Sequence, residues 1–155
     1  MSAVAAARIA AVAAGLWAGL LLCIAAIAAP SAFATLASAD AGRVVARMFM
    51  QEAYLSLALA IVLVVIERQR NRQVAAAGAG PIFSTNLVLL LATLFCTVAG
   101  YFAVQPMMAA ARAGQGTLSF MTLHAVSAGL FVLKGLLVLA LAWRLTRATI
   151  AAKTS

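Results

Sequence analysis

The chain has 155 residues, 66% apolar and 9% charged, with a mean hydropathy of +1.12. A soluble domain is about half apolar and about a quarter charged, and a fold this small cannot bury such an apolar excess; soluble globular and disordered chains are both excluded. The net charge of +8 comes from 11 Lys and Arg against 3 Asp and Glu. They form no basic stripe interleaved with aromatics, so no nucleic-acid partner is expected and the lipid bilayer is the expected surrounding.

Residues 9–39, 73–111 and 113–133 carry no Asp, Glu, Lys or Arg, and each run reaches or exceeds the ~20 residues a helix needs to cross a bilayer. The first predicted span covers residues 9–29 and stops at Pro30, because proline disfavours helix in the residue before it. Arg8, the apolar run and Pro30-Ser31-Ala32-Phe33-Ala34 imitate a secretory signal. The run is longer than the core of about 7–15 residues such signals have, and it reads as an uncleaved helix. Within it, Gly15-Leu16-Trp17-Ala18-Gly19 is a GxxxG motif that lets helices approach closely. Packing inside the monomer is its expected use, with a dimer seam as the other.

Residues 31–48 place Phe33, Leu36, Val44, Val45 and Met48 at roughly helical intervals, with Asp40, Arg43 and Arg47 on another side. This pattern predicts a short amphipathic helix at the outer interface, with Asp40 as an N-cap for the stretch leading into the second span. That span covers residues 49–66, and Ala75 to Pro81 forms a Gly- and Pro-containing turn. The third covers residues 85–105 and stops at Pro106; the fourth covers residues 120–143. The fold class is an all-α integral membrane protein, an antiparallel four-helix bundle in one domain over residues 1–155. Forty alanines make its helices slim and closely packed.

With the N-terminus inside, Arg8, Arg68, Arg70, Arg72, Arg144, Arg147 and Lys153 fall on the inner side, against Arg43, Arg47 and Arg112 outside. By the positive-inside rule both termini are cytoplasmic, and the expected location is a bacterial inner membrane. The run from Glu67 to Arg72 is the strongest topogenic signal, and such a run also suits anionic lipid.

Ionisable groups inside spans are costly and therefore informative. Glu52 and His124 lie near the outer ends of the second and fourth spans, at similar predicted depth, which makes them an expected pair. Arg47, Gln51, Tyr101, Gln105 and Ser127 lie near that level and complete the candidate binding set. Lys134 is ten residues beyond His124, about 15 Å along a helix. It reads either as snorkelling to the inner headgroups or as lining a path, with Glu67 or a backbone carbonyl as partner. Ser56, Ser127 and Thr122 read as bonding within or across helices. Met107, Met108 and His124 are the alternative soft-metal set, since thioethers and an imidazole suit Cu(I). Cys23 and Cys96 sit in spans as small apolar residues. One histidine cannot build a bis-histidine haem site or a zinc site, so no cofactor is expected. No GxSxG, HExxH, phosphate loop or GxGxxG occurs, and no enzyme is expected.

Four pieces occur in order: Gly15-x-Trp17-x-Gly19 with Ala29-Pro30-x-x-Phe33; Ala41-Gly42-Arg43-Val44 running to Met48-Phe49 and Tyr54; Gln105-Pro106-Met107-Met108; and Leu123-His124-x-x-Ser127. Together they resemble the transmembrane-protein-205-like family of small four-span membrane proteins. The resemblance implies a four-helix membrane domain and no particular reaction, its bacterial members being generally of unknown function. The copper-resistance D-type membrane proteins, with a Leu-His near the start of a span, are a more distant comparison, from which the single histidine here departs. The expected function is binding or transport of a small molecule or ion through an outward-facing polar pocket. The alternatives are a structural or accessory subunit packed on a larger membrane partner, and soft-metal handling; besides the bilayer, the partners considered are a second copy of the chain or that larger membrane partner.

Overall fold

A computed structural model describes the backbone of residues 3–78 and 83–154 and the side chains of residues 5–78 and 83–150. The described residues contain helices and turns and no strand. Helix α1 comprises Ala3–Cys23, a π-helical turn over Ile24–Ala28, and Ala29–Thr35. Helix α2 is Ser38–Ala76. Helix α3 comprises Thr85–Thr97, a second π-helical turn over Val98–Ala103, and Val104–Arg112. Helix α4 is Phe120–Thr154. All four are long and apolar enough to cross a membrane, as the composition requires. Each packs on its neighbour in sequence, and α4 closes the ring against α1. The α2–α3 connection and both chain ends lie at one end, here the terminal end; the other two connections lie at the far end.

The helices run past both prolines that were expected to stop them. Pro30 and Pro106 lack an N–H, and their rings crowd the carbonyl four residues back. The preceding turn widens to make room. The N–H of Ala29 donates to the Ile24 carbonyl and that of Val104 to the Ala99 carbonyl, each five residues back. Proline therefore produces a local π turn in place of a helix end.

The separate interfacial helix expected over residues 31–48 does not form. Residues up to Thr35 continue α1, only Leu36 and Ala37 link the helices, and α2 begins at Ser38. The amphipathic spacing is absorbed by the ends of two spanning helices. Asp40 is not the N-cap; that position is Ala37, whose carbonyl accepts from the N–H groups of Asp40 and Ala41. Asp40 instead lies in the first turn, where a carboxylate complements the helix dipole, and is bound by Arg43. At the other end of α2, Gly78 takes φ +68° just past the helix, a left-handed conformation glycine adopts without strain. The rest of the turn expected there, residues 79–81, lies outside the described residues.

The main core joins all four helices: Ala10, Ala14, Trp17, Ala18 and Leu21 of α1, Ala60 and Leu63 of α2, Leu90 of α3, and Val138, Leu141 and Leu145 of α4. The small residues facing the bundle on α1 are thus Ala10, Ala14 and Ala18. Gly15 and Gly19 follow one residue later, rotated about 100°; both are exposed, with no atom within 4 Å of where a Cβ would stand. The expected packing of GxxxG inside the monomer is not what the bundle uses. A smaller cluster at the far end gathers Val104, Met108 and Leu123.

Candidate functional site: a buried Trp–Ser–Glu–Lys network

Helices α2 and α4 run parallel, and Glu52 and Lys134 each lie fourteen residues along their helix, about 21 Å from its start. Phe49 and Phe131 meet edge to face with ring centroids 5.0 Å apart. They lock the register three residues before each charge. Lys134 Nζ donates to both carboxylate oxygens of Glu52, at 2.7 Å to Oε1 and 2.8 Å to Oε2. It also lies 5.0 Å from the centroid of the Phe131 ring, within cation–π range. Both residues are 4% exposed. The ion pair is therefore interior to the bundle and away from lipid.

The carboxylate has a second partner. Ser56, one turn along α2, donates its hydroxyl to Glu52 Oε1 and accepts from Trp17 Nε1 of α1 at 2.8 Å. Indole to hydroxyl to carboxylate to ammonium makes one continuous chain across α1, α2 and α4. Among the described residues no buried side-chain nitrogen or oxygen lacks a hydrogen bond, which is the condition for tolerating polar groups at this depth.

This pairing differs from the expected one. His124 is exposed and stacks on Phe120 at 5.8 Å between centroids, with Arg112 over the other partner of that stack, 4.4 Å from the Phe120 centroid. Glu52 pairs with the cation ten residues further along α4. The expected match in depth rests on starting the second span at Phe49; α2 starts at Ser38, which sets Glu52 level with Lys134 and well past the depth of His124. Snorkelling of Lys134 to the terminal end does not occur either. A helical side chain leans towards its own N-terminus, which for α4 is the far end. Glu67, the other partner considered for Lys134, is bound by Arg70 at 2.6 Å.

A family model for a domain of unknown function, DUF4149, matches residues 12–117, more than half of the chain. The chain belongs to the DUF4149 family. Searches of curated proteins and of solved structures find no match. The matched DUF4149 region holds Trp17, Glu52 and Ser56, and it ends before Lys134.

Of the other candidate residues of this DUF4149 protein, Arg47 and Gln51 are exposed, while Gln105 and Ser127 are half-buried. Tyr101 is half-buried in an aromatic group with Tyr54 and Phe102, at centroid distances of 6.3 Å and 5.1 Å. None of these five bonds to the Glu52–Lys134 pair. Met107 and Met108, being consecutive, turn apart: Met108 is buried with Val104 and Leu123, whereas Met107 is exposed. Among the described residues no group of three His, Cys, Asp or Glu is placed to hold a metal. Trp17 and Phe131 were not legible as site residues. The signal for Trp17 was its indole N–H, which needs a partner when buried, and Ser56 is four residues from Glu52 on the same helix face.

Proposed function

We propose that the bundle is a non-enzymatic membrane protein that binds and passes a small ion, with proton exchange at Glu52 as part of the cycle and the Glu52–Lys134 pair as its closed form. The observation that carries this reading is a carboxylate–ammonium pair held in the interior of a four-helix membrane bundle, a placement that marks ion and proton pathways. In the closed form each charge neutralises the other; a proton on Glu52 frees Lys134, and a passing ion takes over one of the two partners. On this proposal the protein sits in a bacterial inner membrane with both termini cytoplasmic, the distribution of its arginines being the support. It stands beside the transmembrane-protein-205-like proteins it resembles.

The test uses purified protein in vesicles containing a pH-sensitive dye, with a valinomycin-set potassium potential as driving force. Wild type is expected to acidify the interior faster than protein-free vesicles do. Glu52→Gln with Lys134→Met, which removes the pair whole and strands neither charge, is expected to reduce that rate to the protein-free value while the protein remains helical and monodisperse. Proton flux equal in wild type and protein-free vesicles overturns the reading.

A second reading is an accessory subunit, favoured by the outward, uncovered Gly15 and Gly19. Gly15→Leu with Gly19→Leu is expected to leave the fold intact, since both sites are open, and to abolish crosslinks to a partner within the membrane. Wild-type protein that crosslinks to nothing removes this reading.

A further inference from the structure

We propose that the terminal end of the α2–α3 seam is a binding groove for one anionic phospholipid, the headgroup phosphate held by Arg68 and Arg72 and part of an acyl chain lying along the seam.

The seam carries a groove of about 200 Å³ lined by Val64, Arg68 and Arg72 of α2, by Leu87 and Leu91 of α3, and by Phe83 just before it. The spacing explains its form. Residues 64, 68 and 72 repeat every four positions on α2, and residues 83, 87 and 91 repeat every four along the facing segment, so each set makes one ridge on one face. The floor is apolar and continuous with the membrane-facing surface, where Leu91 is 44% and Phe83 is 69% exposed. Its mouth is positive.

Three features make that mouth suit a phosphate. Arg68 and Arg72 are both exposed, and neither forms an ion pair among the described residues. The nearby carboxylate, Glu67, is buried on another face and already neutralised by Arg70. The N-terminus of α3 opens at the same level, where Ser84 accepts from the Leu87 N–H and is itself held by Asn71 Nδ2 at 2.9 Å; the partial positive charge of a helix start favours an anion there. A basic pocket between membrane helices, at headgroup level and above an apolar groove, is complementary to an anionic lipid at both its ends. A zwitterionic lipid would bring a second positive charge against the arginines.

Native mass spectrometry of the delipidated full-length protein, titrated with phosphatidylglycerol against phosphatidylcholine, tests this. Each arginine near a headgroup contributes roughly fivefold in affinity, so the first phosphatidylglycerol is expected to bind about 25-fold more tightly than phosphatidylcholine. Arg68→Gln with Arg72→Gln is expected to bring the two lipids to parity. Arg8→Gln with Arg147→Gln, which removes equal charge at the same end of the bundle, is expected to keep the preference. Glycerol phosphate, the headgroup without chains, is expected not to compete. Should the double variant fail to fold, each single variant is expected to lose roughly fivefold. Equal binding of the two lipids by wild type, retained preference in the Arg68 and Arg72 variants, equal loss in the Arg8 and Arg147 variant, or full competition by glycerol phosphate each overturns the proposal.

Discussion

Lys134→Met is expected to destabilise the bundle by about 3–5 kcal/mol. The substitution leaves the Glu52 carboxylate at 4% exposure without its ammonium partner. Among the described residues Ser56 then remains as the sole hydrogen-bond donor to that carboxylate, too little to compensate a buried charge. The companion variant Glu52→Gln with Lys134→Met is expected to recover most of the loss. It removes both charges, while the amide oxygen still accepts from Ser56. Removing an ion pair whole is often neutral, whereas removing half of one is not. Reversible unfolding in mixed detergent micelles, monitored by helicity, measures both. A double variant as unstable as Lys134→Met would show that the loss came from missing contacts of the lysine stem and not from the stranded charge.

Trp17→Ala is expected to cost towards the lower end of the range of about 3–5 kcal/mol seen for large aromatic truncations. Trp17 is 1% exposed and belongs to the core shared by all four helices. In a bilayer the unfolded reference already keeps the side chain in hydrocarbon, so the transfer component shrinks and the lost packing remains. Trp17→Phe separates that packing from the hydrogen bond. It keeps a ring but removes the 2.8 Å bond from Nε1 to Ser56, at an expected cost of about 1 kcal/mol. The same unfolding measurement reads both variants. If Trp17→Phe is as damaging as Trp17→Ala, the indole is chiefly a polar anchor; if it is silent, the chain through Ser56 does not depend on α1.

Four spans were legible in the sequence because charge is so scarce that each apolar run stands out. Their ends were not. The prolines suggested stops at residues 30 and 106, whereas wide turns at Ile24–Ala28 and Val98–Ala103 carry the helices through. Whether a proline ends a helix or widens it depends on what the neighbouring helices offer the next turn, and this is tertiary information. The site was legible in kind but not in detail. Glu52 and Lys134 stood out as costly ions within spans. That they belong to each other comes from the parallel register of α2 and α4, which Phe49 and Phe131 set. Periodicity along one helix contains nothing of this. In the same way GxxxG was visible, but the face it occupies was decided by Ala10, Ala14 and Ala18 beside it.

The two wide turns divide labour among the helices. Both helices that carry the buried charges are unbroken, over 39 residues in α2 and 35 in α4. Both interrupted helices, α1 and α3, stand diagonally across the ring and, among the described residues, contribute no buried charge to it. A π turn holds an extra residue, so the segments beyond it, Ala29–Thr35 and Val104–Arg112, are phased about 100° from where an uninterrupted α-helix would set them. Converting either turn to α geometry would swivel its far segment about its own axis and leave the axle formed by α2 and α4 untouched. The bundle thus has two stiff struts that hold its charges and two jointed ones that set the orientation of the far-end surface.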